Sequence, residues 1–219
     1  MAPATPARRT QGQRRTQGQR RTQGERRAAT RGALVAAARE LFAEHGFAGV
    51  SREEIVERAG VTRGAMYHYF ASKEALFQAV YEEVERDLCD ALAAAAMSTA
   101  DPVEGLRLGA VAFLSAAGTG EVRRIAVLDA PAVLAPDVLR PLEEQYGLGM
   151  IRAALNEIAA AGRLATGPAE PLAPILLAAM HEAATQIAEG AAESTYIALV
   201  EDLISRLTIT PPSRRRSRN

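Results

Sequence analysis

The sequence predicts an all-α chain built from two helical units, and three observations carry that reading. Apolar residues recur at three- and four-residue spacing from about residue 28 to residue 208. No segment sustains the alternation of a half-buried strand, and no Asn-Gly hairpin signal occurs. Capping residues and glycines stand where such helices would begin and end.

Ahead of the helices, residues 8–25 are a six-residue repeat written three times, RRTQGQ, RRTQGQ and RRTQGE, followed by Arg26 and Arg27. The repeat has no apolar residue whose burial could offset the entropy of ordering. Gly12, Gly18 and Gly24 interrupt any helix, and the period is too short for a solenoid unit. Residues 1–27 are therefore expected to form a disordered basic arm whose paired arginines suit phosphates or a minor groove. A recent repeat expansion, or a mis-chosen start codon, would account for the same residues without a function.

The first helix should start near residue 28, gather Leu34, Ala38, Leu41 and Phe42 on one face, and stop near Gly46. A second should begin at Ser51, which forms a capping box with Glu54, and end at Gly60. Ile55 and Ala59 give it an apolar edge. The third is short, capped by Thr62 and running to about Tyr69. The fourth, capped by Ser72, carries Leu76, Val80, Val84, Leu88 and Leu92 at four-residue intervals. Its ~24 residues would span roughly 36 Å.

Asp101-Pro102 with Glu104 marks the next start. Pro131, Pro136 and Pro141 should cut 122–141 into short pieces, before a longer helix over about 137–161 that ends at Gly162. Helices over 171–190 and 194–208 complete the chain. Their apolar stripes carry Leu172, Ile175, Leu176 and Ala179 in one, and Tyr196, Leu199, Val200, Leu203, Ile204 and Leu207 in the other. The organisation expected is a basic arm (1–27), a first helical domain (28–74), a second (75–209) and a disordered basic tail (210–219).

A net charge of zero hides a strong asymmetry. Residues 1–27 carry +7 and residues 213–219 carry +4, which leaves 28–212 at −11. Basic ends on an acidic body suggest docking to a polyanion at one end. The longest stretch without Asp, Glu, Lys or Arg is the 13 residues Leu108 to Gly120, short of a membrane span. The arginines of the N-terminus precede no apolar run, so no secretory signal is read there. The single cysteine, Cys89, excludes an intrachain disulfide and a cysteine zinc cluster. The expected location is cytoplasmic, and nucleoid-associated when bound to DNA.

The informative stretch is 51–73, SREEIVERAGVTRGAMYHYFASK. Two short helices joined through Gly60-Val61 match a helix-turn-helix. At about 100° per residue, Arg63, Gly64, Tyr67 and His68 fall within about 140° of one another on the third helix. Met66 and Tyr69 point the other way. The shared face combines a guanidinium able to grip guanine with hydroxyl and imidazole groups for phosphate. Gly64 and Ala65 keep it flat enough to approach base edges. Lys73, just inside the fourth helix, adds a phosphate contact near that helix's N-terminal dipole.

The run AGVTRGAMYHYFASKEAL closely resembles the DNA-binding signature of the TetR family of transcriptional regulators, and the resemblance extends over about residues 28–76, back to RGALVAAARELFAEHGF. It implies that Thr62, Arg63, Gly64, Ala65, Tyr67 and His68 lie at the DNA. Ser51 and Arg52 would meet the backbone, Lys73 would hold a phosphate, and Tyr69 would add another such contact; Phe70 belongs to the core. Two residues depart from the pattern. Val56 stands where the family usually has alanine, and Glu53 and Glu54 bring negative charge near the DNA, weakening binding or favouring a cytosine contact from Glu53.

Enzymatic signals are weak. Of the three histidines, His45 closes the first helix beside the negative end of its dipole. His181-Glu182 begins a zinc-protease H-E-x-x-H, but Thr185 stands at the fifth position. No nucleophile elbow or phosphate-binding glycine loop occurs. No enzyme, metal or cofactor is expected.

The resemblance implies that the acidic second domain dimerises and binds a small-molecule effector. Helices 171–190 and 194–208 would pair with their twins, presenting two recognition helices to successive major grooves ~34 Å apart on a palindromic operator. Candidate pocket residues, chosen by type, are Cys89, Phe113, Leu128, Tyr146, Met150, His181 and Gln186. The function expected is a dimeric repressor released by an effector. The alternative is an architectural DNA-binding protein driven by the arginine-rich arm.

Overall fold

A computed structural model describes residues 23–209. The basic arm and tail proposed from the sequence lie, apart from residues 23–27, outside the described residues. Those five are the exception to the expected arm: they form the first turn of α1 (Gln23–Gly49). Arg26 accepts a hydrogen bond from the Thr30 hydroxyl on its carbonyl, within that helical start.

The head consists of α1, α2 (Arg52–Ala59), α3 (Arg63–Tyr69) and the beginning of α4 (Lys73–Ala96). The α1 helix breaks at Gly46, where φ is 71° and ψ 167°, a backbone that suits glycine. The Ser51–Glu54 capping box is present on α2, and Gly60 ends that helix in the left-handed region. Thr62 and Ser72 cap α3 and α4 through their hydroxyls. The predicted length of α4 holds at 24 residues.

The body follows with α5 (Pro102–Ala117), α6 (Ala130–Val133), α7 (Pro136–Glu143), α8 (Gly149–Ala160), α9 (Ala169–Ala188) and α10 (Glu193–Leu207). Two π-helical turns, Val122–Asp129 and Glu144–Leu148, are spliced into this run. Pro141, expected to separate two pieces, sits inside α7. The chain therefore continues helically from Pro136 through Ala160. Among the described residues, extended pairing is limited to an isolated bridge between Leu164 and Thr208.

Two apolar cores result. The first is centred on Leu34, Phe42, Ile55, Met66, Leu76 and Phe77, with Phe42, Phe47 and Phe77 stacked at centroid distances of 5.2–5.7 Å. It does not stop at the boundary expected near residue 74, but runs along α4 to Val84 and takes in Ile125, Ala130 and Leu134. The second joins α5, α8, α9 and α10 around Leu114, Leu155, Leu176 and Ile204. Val56, the departure noted above, packs against the first core.

Candidate nucleic-acid interface and internal cavity

Gly60, in the left-handed region, turns the chain from α2 toward α3, and the backbone bonds Gly60 N–H to Glu57 O and Val61 N–H to Val56 O close that turn. Met66 turns inward and is 1% exposed, which fixes the opposite side of α3 toward solvent. Arg63, Gly64, Tyr67 and His68 are all exposed there, and Ala65 is half-buried. A Cβ placed on Gly64 would meet nothing within 4 Å, so no contact among the described residues requires glycine at this position.

Intramolecular bonds organise this face. The Arg52 guanidinium reaches the Tyr67 hydroxyl at 3.4 Å and lies over its ring. Hydrogen bonding from Arg52, then from Arg63, holds the Tyr67 phenol below its ordinary range. Arg63 also pairs with Glu53 at 2.8 Å, so that acid is directed at the arginine expected to read bases. Arg27 Nη2 lies 3.5 Å from His68 Nε2, bringing the start of α1 to the same surface. His68 stacks edge-on against half-buried Tyr69.

Two of the expected phosphate donors are already engaged. Ser51 donates both its hydroxyl and its backbone N–H to Glu54, which depresses that carboxyl. Lys73, the only lysine in the chain, donates its Nζ to the Phe47 carbonyl and lies 4.2 Å from the Phe47 ring centroid. Partial burial lowers its pKa. Lys73 thus closes the C-terminal end of α1, a role its position in the motif did not indicate.

The head is tied to the body by a clasp built on the first π-helical turn. Arg39 of α1 makes a two-pronged contact with Glu121 at 2.6 and 2.7 Å and meets Asp87 of α4 at 2.7 Å. The Asp129 carboxylate accepts the Phe47 N–H at 2.7 Å. Arg124 pairs with Asp129 at 3.4 Å, and its guanidinium occupies the space a side chain at Gly46 would need.

Within the body lies a cavity of about 550 Å³, bounded by α4, α5, α8 and α9. Of the pocket residues chosen from sequence, Cys89, Phe113, Met150 and His181 line it. Leu128, Tyr146 and Gln186 do not. Leu128 and Tyr146, chosen by type alone, fall in the π-helical turns, and in the second of these it is Gly147 that reaches the cavity. Ala126 and Val127, in place of Leu128, line a smaller adjoining cavity of about 70 Å³. Gln186, five residues beyond His181, turns away and bonds Glu182.

Glu85 is the functional-looking residue that the sequence reading passed over. It lines both cavities, and desolvation holds its carboxyl at about 7 despite a Tyr81 hydrogen bond that lowers it. Burial also keeps His181 neutral more readily and pushes the Cys89 thiol up to about 11, too high for a reactive thiolate. The missed signal was an apolar file, Phe77, Tyr81, Cys89 and Ala93, interrupted by an acid at its middle position.

Comparison with known proteins agrees with this geometry. Residues 34–80 match the bacterial regulatory proteins of the tetR family, and residues 103–209 match the tetracyclin repressor-like C-terminal domain. The crystal structure of a TetR-family transcriptional regulator from Pectobacterium atrosepticum is 30% identical, with a TM-score of 0.73, over 87% of this chain and 100% of that one. The HTH-type transcriptional regulator UidR of Escherichia coli K12 is 37% identical over 78 residues, 35% of this chain. That match spans about a third of the curated relative, 36% of its length. RolR in complex with resorcinol shares the fold at a TM-score of 0.68 and 21% identity, covering 83% of this chain and 90% of that one. Among the described residues, no helix is long and apolar enough to cross a membrane.

Proposed function

The chain belongs to the tetR family of bacterial regulatory proteins, transcriptional regulators with a DNA-binding helix-turn-helix, and from that premise we propose that it is a dimeric repressor released from its operator by a small molecule. In this reading α3 enters the major groove. Arg63 reads guanine, Thr62, Gly64 and Ala65 approach the bases, and Tyr67 and His68 meet the strand beside them. Ser51, Arg52, Tyr69 and Lys73 face the phosphates once their internal partners yield.

Dimerisation through α9 and α10 is supported by two large apolar side chains left in solvent. Ile175 is 64% exposed and Leu199 60% exposed. Pairing these helices across a two-fold axis would cover both, and would set two copies of α3 about 34 Å apart, one turn of DNA.

The observation that carries the regulatory reading is the continuity of α4. Its first turn belongs to the head, and from Glu85 to Met97 it walls the cavity. The π-helical turn is a second link: Ala126 and Val127 face the adjoining cavity while Arg124 and Asp129 grip the end of α1. An effector that moves either element tilts the heads. A coupling of about 1–3 kcal/mol would lower operator affinity about 5–150-fold. RolR, in complex with the ligand resorcinol, offers a precedent within the same fold for binding a small molecule.

The test is fluorescence anisotropy with DNA from around the protein's own coding region, across a salt series. Full-length protein, a form lacking residues 1–22, and Arg63→Ala with Tyr67→Phe are each run against a scrambled duplex. Selective binding that survives arm deletion and collapses in the double variant supports the repressor. Binding that follows the arm alone, blind to sequence and steeply salt-dependent, transfers the function to the architectural alternative.

A further inference from the structure

The charge of the cavity lining is one-sided. Its ionisable side chains are Glu85, Cys89, Asp101, Glu157 and His181, with neither lysine nor arginine among them. Asp101 is neutralised by Arg163 at 2.6 Å, and Glu157 is exposed to solvent. Glu85 lies about 18 Å from Met97 along α4 at 1.5 Å per residue. It takes part in no ion pair among the described residues.

The groups facing Glu85 add no cation. On α4 they are Tyr81 and Cys89; from α7 comes Glu143, itself pushed up by burial against the smaller opposing charge of Arg140. From α9 comes His181, 3.8 Å from Glu143 and disfavoured by desolvation from taking a proton. Two carboxyls and an imidazole that resists protonation therefore meet where the large, mostly apolar chamber adjoins the smaller cavity: Glu85 and His181 line both, and Glu143 lines the smaller one. Phe113 and Met150 on the walls offer a π-face and a polarisable sulfur. An anionic ligand would enter this potential at a loss, whereas a cation would recover the energy spent on burying carboxylates.

We propose that the cavity takes apolar monocations, lipophilic amines or quaternary oniums, with Glu85 as the counter-charge for the cationic head. The proposal rests on the effector reading of the cavity but specifies its chemistry. Because Glu85 is partly protonated near neutrality, seating a cation beside it drives off a proton. Uptake is accordingly coupled to proton release between about pH 6 and 7.

The experiment compares ions of matched shape and opposite charge. Tetraphenylphosphonium against tetraphenylborate, and decyltrimethylammonium against decanesulfonate below their micellar concentrations, are titrated calorimetrically into the full chain. Buffers of different ionisation heat report proton release. The expected result is that at least one onium binds at least tenfold more tightly than its anionic twin and releases a proton at pH 6.5. Glu85→Gln should erase the preference and the release, and Glu85→Asp should retain both in part. Circular dichroism and melting of each variant establish that it is folded. Equal affinity for both charges, preference for the anions, no binding by either onium, or onium binding indifferent to Glu85→Gln overturns the proposal.

Operator anisotropy is recorded separately with the same probes. Onium binding that leaves DNA affinity unchanged keeps the ligand class and refutes the effector reading. Release of DNA by an anion that prefers the cavity does the reverse.

Discussion

Replacing Gly64 with alanine should move stability and DNA affinity in opposite directions. Gly64 lies in the first turn of α3 with no positive φ, and a Cβ there would find open space. Alanine lowers the backbone entropy of the unfolded chain and favours helix, a gain of about 0.5–1 kcal/mol at this position. For a protein of this size the melting temperature should rise by about 1–4 °C. The same methyl group projects from the surface that α3 would press into the major groove. A close interface that must accommodate it loses about 1–3 kcal/mol, or roughly 5–150-fold in operator affinity. Thermal melting and fluorescence anisotropy on one preparation provide both numbers. A fall in melting temperature would mean that Gly64 is held by something the structure does not contain. Higher stability with unchanged operator affinity would refute the argument that this face of α3 approaches the bases.

Glu53→Gln should free Arg63 from its ion pair and raise operator affinity a few-fold at low salt, with the gain fading as salt rises in the anisotropy series. Asp129→Ala removes the acceptor of the Phe47 N–H and should cost about 1.5–3 kcal/mol in urea unfolding, with Asp129→Asn, which keeps an acceptor, costing less. If the clasp transmits the signal, Asp129→Ala should also blunt the response of operator affinity to a cavity ligand. Glu85 should make the folded state less stable as pH rises. Folded protein retains its proton to about 7 whereas the ordinary value is 4.5, so stability is full below 4.5 and falls by up to about 3 kcal/mol by pH 7.5. Glu85→Gln should flatten that decline in unfolding curves measured from pH 4 to 8; a decline that persists in the variant assigns it to other groups.

Much of the head was legible because its signals are local. Ser51, Thr62 and Ser72 cap the helices they precede, and Gly60 supplies the left-handed turn, all through bonds spanning a few residues. The exposed set on α3 also follows from counting along one helix. What counting could not supply is contact between residues distant in sequence. Lys73 on the Phe47 carbonyl, Arg39 on Glu121 and Asp129 on the Phe47 N–H depend on how helices meet. The π-helical turns were invisible for a different reason. No proline or cap in them marks a wider turn; the first lies against α1 and α9 and the second against α4 and α9, and residue type alone could not tell which of their side chains reach the cavity. Glu85 was legible in principle, as an acid set into an apolar file, but its burial depends on Glu143 and His181 arriving from other elements.

The distribution of charge connects the two ends of the molecule. Residues 23–73 hold eight basic and six acidic side chains, whereas residues 74–209 hold eight arginines against 20 acids. A polyanion therefore attracts the head and repels the body, which favours approach with α3 foremost. At the seam, Arg39 satisfies Asp87 and Glu121 together, so acidic surface that faces the head there is neutralised from within. The same excess of acid makes cation entry into the body favourable and proton-coupled at Glu85. A cation seated there would act on α4, whose first turn carries Lys73 and fixes the end of α1. The acidic body and the basic face thus need not be independent adaptations: a single charge gradient can direct DNA to the head and an apolar cation to the cavity that displaces it.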